Sequence, residues 1–249
     1  MTPLRISSAD TMKSMTLFEH LAEARRRLLI SVGSVTVLAL VAWFLYNQMI
    51  KILVRPYCSA SKLIHSSCKF IMTSPLDGLS LHIKLAAYGG FILASPIIFF
   101  QAWRFVVPGM TRKEKRYAYP FVAAAAFFFI GGVVTAFYAF SHALQWLQQV
   151  GGNSLQAFYN PNQYFTLLLL MMFIFGLTFE FPVILVALEL ANVITPRQLL
   201  KQWRYALIAI FAAAAILTPS GDPISMFGMV VPLTFFYFLA ILVGKIAKK

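Results

Sequence analysis

A chain of 249 residues that is 60% hydrophobic and 12% charged, with a mean hydropathy of +0.76, is not an ordinary soluble domain. Soluble chains run near half apolar and a quarter charged, and one core cannot bury the excess, so a lipid bilayer must solvate it. The formal charge of +13 gathers beside the apolar runs, which points to membrane topology rather than to a nucleic-acid partner.

Taken in chain order, apolar runs predict six helical spans at 28–46, 85–107, 119–140, 164–190, 203–217 and 224–243. A hydrocarbon core of about 30 Å needs about 20 helical residues. The fifth run has 15 residues and reaches only about 22 Å, so it needs thinned lipid or sheltering neighbours. Residues 1–16 read as a flexible tail, and the whole chain, 1–249, as a single membrane domain. The start of the first run, Arg25-Arg26-Arg27-Leu28, superficially resembles a secretory signal. Its 19 apolar residues exceed a signal core, and no small-residue cleavage site follows before Lys51, so the helix reads as retained.

Orientation follows from lysine and arginine on alternate sides. The N-terminal segment, the loop after span two, the loop after span four and the C-terminal tail together carry 15 positives. The opposite side carries five: Lys51, Arg55, Lys62, Lys69 and Lys84. Both termini are therefore expected inside, with Arg104 snorkelling from span two. The outer loops 47–84 and 141–163 are long enough to fold as caps, and Pro56, Pro75 and Pro161 punctuate them. Cys58 and Cys68 lack zinc spacing. In an extracytoplasmic loop they form one disulfide or remain two thiols; both readings stay open.

Two groups of carboxylates stand out. Glu180 lies near the middle of span four, two residues before Pro182. A carboxyl at bilayer depth costs a few kcal/mol and normally faces a protein interior or wet cavity. Pro182 cannot donate to the carbonyl of Thr178, so a bend is expected there. The pair describes a polar notch in an apolar wall, either functional or simply bonded to another helix. At the inner edge, Asp10, Glu19, Glu23 and Glu114 sit among the positives. Glu23 lies four before Arg27, so a local ion pair is the plainest reading. Phosphate-cradle, serine-hydrolase and zinc-protease motifs are all missing, and His20, His65, His82 and His142 fall outside the spans. No enzyme, cofactor or metal site is expected.

In order, these residues resemble the TatC family, the polytopic core subunit of the twin-arginine protein translocase. The likeness runs from about Leu17 to Val243. It rests on His20-Leu-Ala-Glu-Ala-Arg-Arg-Arg27 at the inner edge of span one, and on Ser74-Pro-Leu-Asp-Gly78 followed by Lys84. Pro96, Gln101-Ala-Trp-Arg-Phe105 and Pro108-Gly-Met110 resemble the family's end of helix two, with Glu114 among basic residues beyond. Phe179-Glu-Phe-Pro182 and Thr218-Pro219 with Asp222 complete the series. Departures are Ala24 for leucine, His142 for proline, an extra residue at Ser220-Gly221, and Met226 where glutamine is frequent.

The resemblance implies an all-α fold of six transmembrane helices, a concave bundle with a shortened fifth helix. It implies a core subunit in the cytoplasmic membrane of a prokaryote that exports folded precursors, driven by the proton gradient. The implied partners are twin-arginine signal peptides, single-span TatA- and TatB-type subunits, membrane lipid and further copies in an oligomer; nucleic acid is not among them. Carried over, Glu23 and Glu114 would bind the arginine pair with Arg25 in support, and Glu180 would be the polar group in the cavity. Pro56, Phe105, Pro182 and Asp222 would be structural or contact positions. The competing readings are a proton-coupled solute carrier using Glu180 and a purely structural scaffold. A carrier would be expected to show repeat symmetry and paired broken helices, neither of which the sequence contains.

Overall fold

The computed structural model describes residues 17–63, 68, 70–106, 118–150, 159–190 and 193–247, and every element among them is helical. In chain order these are α1 (Leu17–Phe44), α2 (Tyr46–Leu53), α3 (Arg55–Leu63), α4 (Asp77–Val106) and α5 (Ala118–Val150). They are followed by α6 (Pro161–Thr178), α7 (Phe181–Leu190), α8 (Pro196–Lys201), α9 (Trp203–Leu217) and α10 (Pro223–Ala247). Five segments are long and apolar enough to cross a membrane: α1, α4, α5, α6 with α7, and α10. The sixth, α9, has 15 residues, the short span that the sequence predicts. Six crossings return both chain ends to one side, which the basic residues mark as inside.

The helices form an open wall rather than a closed ring. At one edge α1 packs on α4, and at the other α9 packs on α10 and α8. Only 6% of the apolar window of α1 is buried, against 56% for the α6–α7 span, so α1 is an edge and α6–α7 the centre. The central core gathers Phe129 and Ala136 of α5, Phe165, Leu168, Met171 and Phe175 of α6, and Met229 and Leu233 of α10. In lipid, helices gain little from burying apolar surface against one another, so close backbone approach supplies the packing. A Cβ at Gly132 would lie 2.5 Å from the carbonyl oxygen of Phe175, and one at Gly90 2.5 Å from the backbone nitrogen of Ala39. These glycines set the α5–α6 and α1–α4 crossings. Gly132→Leu is expected to cost about 3 kcal/mol or more, because the obstacle is rigid backbone. Thermal unfolding of the detergent-solubilised protein should show a clearly lowered midpoint; an unchanged one would mean that the two helices do not cross here.

Three differences from the predicted spans have local causes. Helix α5 runs ten residues past the expected end at 140, because no breaker appears before Gly151 and because Ala143 and Leu144 remain buried. The outer loop 141–163 is correspondingly shorter. Helix α4 starts at Asp77 rather than 85, where the Asp77 carboxylate accepts from the backbone N–H of Thr73 at 3.0 Å and Ser74 at 2.9 Å. Helix α6 starts at Pro161 rather than 164: the Asn160 side chain caps it by accepting from the N–H of Asn162 and Gln163, and proline fits a first turn.

The outer caps are stitched down by polar bonds. Asn160 Nδ2 donates to Asp77 at 2.8 Å, Asn162 Nδ2 to Ser80 at 3.0 Å, and the Lys84 ammonium to Asn162 at 2.7 Å and Thr166 at 2.8 Å. Beneath α3 the rings of Tyr57, Phe70, Tyr159 and Tyr164 cluster, and the Tyr164 hydroxyl donates to the Leu53 carbonyl at 3.0 Å. Cys58 of α3 and Cys68 are joined in a disulfide. At the outer end of α1, His82 stacks between Trp43 and Tyr46, fastening α1 and α2 to α4.

Candidate functional site

Glu23 sits in the second turn of α1, on the face turned towards the inner end of α4. Arg27 lies one turn on; it forms an ion pair with Glu23, and its Nε donates to Glu23 Oε1 at 2.7 Å. Arg27 Nη1 donates to Gln101 Oε1 of α4 at 3.0 Å. The side chains of Arg27 and Glu23 are 13% and 21% exposed, so the pair is partly shielded from water yet reachable. Both of the guanidinium's contacts with Glu23 fall on Glu23 Oε1, and among the described residues no bond falls on Glu23 Oε2. One helical turn cytoplasmic of this string, His20 stacks on Phe105 with ring centroids 4.4 Å apart. Glu23–Arg27–Gln101 and His20–Phe105 therefore pin the inner end of α1 to that of α4. The expected local ion pair exists, but it is the middle of a link across 74 residues, because Gln101 completes it.

Arg25 points elsewhere. Two residues along a helix are about 200° apart in angle, so it lies opposite Glu23, exposed and beside Arg26. Glu114 lies outside the described residues, within the segment that joins α4 to α5.

Glu180 occupies a full break in the span rather than a bend. Helix α6 ends at Thr178 and α7 begins at Phe181, with Phe179 and Glu180 between them. Proline at 182 denies the Thr178 carbonyl its usual donor, so the chain turns: Glu180 N–H donates to the Leu177 carbonyl at 3.1 Å, and the Glu180 carbonyl accepts from Ile184 at 3.0 Å. The break lies about two-thirds of the way along the 30-residue span, in its inner half. The carboxyl is 8% exposed, and its buried Oε1 has no hydrogen-bond partner among the described residues. Phe179 holds the wall beside it, packing against Phe175 and Phe236.

The remaining predicted positions are structural by their contacts. Pro56 is buried in the first turn of α3, where it lacks nothing by lacking an N–H. Pro182 is buried in the first turn of α7. Asp222 is 1% exposed and caps α10, accepting from the Ser225 N–H at 2.7 Å and from the Ser220 hydroxyl. Gly221 takes a φ of +60°, a left-handed conformation open to glycine, so the extra residue in this turn is absorbed without strain. Two side chains escaped the sequence reading as contributors in their own right. One is Gln101. The other is Glu189, fully buried at the inner end of α7, where its carboxyl fills the space a Cβ on Gly244 would need, beside Tyr237. An acid inside an apolar helix was the available signal for Glu189; for Gln101 it was only its place in the Gln101–Phe105 motif.

A family model described as Sec-independent protein translocase protein (TatC) matches residues 19–232. The protein of that name from Xylanimonas cellulosilytica is 34% identical over 229 residues, covering 92% of this chain and 83% of the relative. The one from Carboxydothermus hydrogenoformans is 34% identical over 237 residues, covering 95% of each chain. A crystal structure described as the twin arginine translocase receptor TatC superposes with a TM-score of 0.75 at 32% identity, covering 93% of this chain and 100% of that one. Fold, site and likeness together define a multi-pass membrane subunit of a transport machine, not an enzyme. The chain belongs to the TatC family and is a core subunit of the twin-arginine translocase. The solute-carrier reading has no support in these matches.

Proposed function

We propose that the inner rim binds the paired arginines of twin-arginine signal peptides through Glu23 and Glu114. The observation that carries this reading is the state of Glu23. Its carboxylate is fixed in position from one oxygen by Arg27, itself anchored on Gln101, while the second oxygen accepts nothing among the described residues. A pre-positioned carboxylate costs little ordering entropy on binding, and guanidinium offers it a planar fork that an ammonium lacks. Glu114, in the sequence between α4 and α5 and outside the described residues, is the second carboxylate of this reading. Arg25 is assigned no part in this site, given its opposite face.

In this reading the chain works as one membrane domain in the cytoplasmic membrane of a prokaryote. It docks TatA- and TatB-type single-span subunits, and folded precursors cross at the cost of the proton gradient. The edge helices α1 and α9 leave broad apolar faces for such subunits or for further copies. The test is binding of a synthetic signal peptide to the purified protein in lipid nanodiscs, with its arginine pair intact or replaced by two lysines. About a hundredfold weaker binding of the lysine peptide is expected, from the loss of two bidentate contacts. Equal binding of the two peptides would overturn the assignment.

A further inference from the structure

The chain's two cysteines both fall between α1 and α4, on the side of the membrane opposite the chain ends, where disulfides persist. Cys58 follows Tyr57 of α3, which is 1% exposed, and Cys68 stands two residues before Phe70. The bond therefore brackets the contact between the rings of Tyr57 and Phe70, whose centroids are 4.7 Å apart. Phe70 packs in turn on Tyr164 at 5.2 Å and Phe165 at 5.6 Å, in the first two turns of α6. The next residue, Ile71, donates its N–H to the Tyr159 carbonyl at 3.3 Å. Ring contacts and a long amide bond at the edge of a cap open locally at low cost, and a cross-link beside them opposes that opening. The two ends of the bond differ in access: Cys68 is exposed and Cys58 half-buried. Exposed disulfides are the ones that exchange with outside thiols.

We propose that the Cys58–Cys68 bond is a redox latch: oxidised, it keeps Phe70 seated on the outer end of α6; reduced, it lets the cap lift and export fail. The partner is a thiol–disulfide oxidoreductase of the extracytoplasmic side. Access sets the order of events. On closing, the exposed Cys68 thiolate attacks the partner's disulfide, forms a mixed disulfide and releases one partner sulfur as a thiolate. The Cys58 thiolate then attacks the Cys68 sulfur and expels the partner as a dithiol. Two protons and two electrons leave the cysteines, and the partner's disulfide is reduced. Opening is the reverse, with a partner dithiol as the reductant. Joining residues ten apart makes the lifted cap about a hundredfold rarer. Helix α6 runs from the latch to the break at Glu180, so the seated cap fixes the outer half of the span that carries this carboxyl. Glu23 lies at the opposite end of the wall, so signal docking and the latch fail independently.

Amide hydrogen exchange of the purified protein in nanodiscs, before and after reduction with a phosphine, reads the latch directly. Peptides covering 70–76 and 159–166 should exchange at least about tenfold faster once the bond is open, and recover on reoxidation with oxidised glutathione. Peptides around Glu23 and Gln101 should not change. The Cys58→Ser, Cys68→Ser double variant should exchange fast from the start and ignore the phosphine. In membrane vesicles holding the whole translocase, that variant should export a folded precursor at least about fivefold more slowly, with signal-peptide crosslinking within about twofold of wild type. Cys58→Ser alone should hold glutathione on Cys68, and Cys68→Ser should hold far less on the half-buried Cys58. The phosphine acts on folded wild type, so a variant that misfolds leaves the exchange measurement standing. Unchanged exchange with the bond shown open by alkylation, wild-type export from the double variant, equal glutathione on the two single variants, or a bond that the phosphine cannot open would each overturn the proposal.

Discussion

A photoreactive twin-arginine signal peptide is expected to lose at least about 99% of its crosslinking to the protein when Glu23 and Glu114 are both changed to Ala. Charge-assisted hydrogen bonds contribute about 1.5–3 kcal/mol each, so two lost carboxylates weaken binding by a hundredfold or more. The alanine at 23 adds a second effect of the same sign. It strips Arg27 of its partner and leaves a guanidinium at the rim, still tied to Gln101, that repels the incoming arginines. The Glu23→Gln, Glu114→Gln pair separates the two effects, because an amide oxygen can still accept from Arg27. Peptide capture should fall in that variant as well, while the melting temperature stays near wild type. Undiminished crosslinking to a folded double variant would remove these residues from the binding site.

The second large effect is expected at Glu180, and it is of a different kind. Glu180→Ala should reduce export of a folded precursor more than tenfold while signal-peptide crosslinking stays within about twofold of wild type. The reasoning rests on where the carboxyl sits: within the broken span, mostly buried, with one oxygen that no described residue satisfies. A polar group of that sort costs the fold free energy, so its removal should leave thermal stability equal or higher. Stability unharmed and transport lost would be the signature of a group kept for function. Glu180→Gln then tells whether the charge or only the polarity matters. Wild-type export by the alanine variant would return Glu180 to a structural role, as would a sharply lowered melting temperature.

The break at Glu180 also marks how far local sequence could go. A proline in an apolar run announces a distortion, because the missing N–H is a property of one residue. Whether the helix bends or stops depends on what surrounds it, here Phe179 packed on Phe236 of α10. The start of α6 at Pro161 had a local signal in Asn160-Pro161, a cap followed by a first-turn proline, which the apolar run alone passed over in favour of 164; the extension of α5 to Val150 had none. Its outer turns are polar enough to pass for loop, and burial of Ala143 and Leu144 beneath the α3 cap keeps them helical.

Composition and charge by themselves determined that this chain spans a bilayer six times, that its fifth span is short, and which side its ends face. Those properties depend on the free energy of transferring each residue into lipid, which is summed along the chain and needs no knowledge of neighbours. The tertiary structure alone decided that Glu23 is held through Arg27 to Gln101, that Glu189 is buried under Gly244, and that the two cysteines are joined. Each of these is a contact between parts of the chain that only the fold brings together.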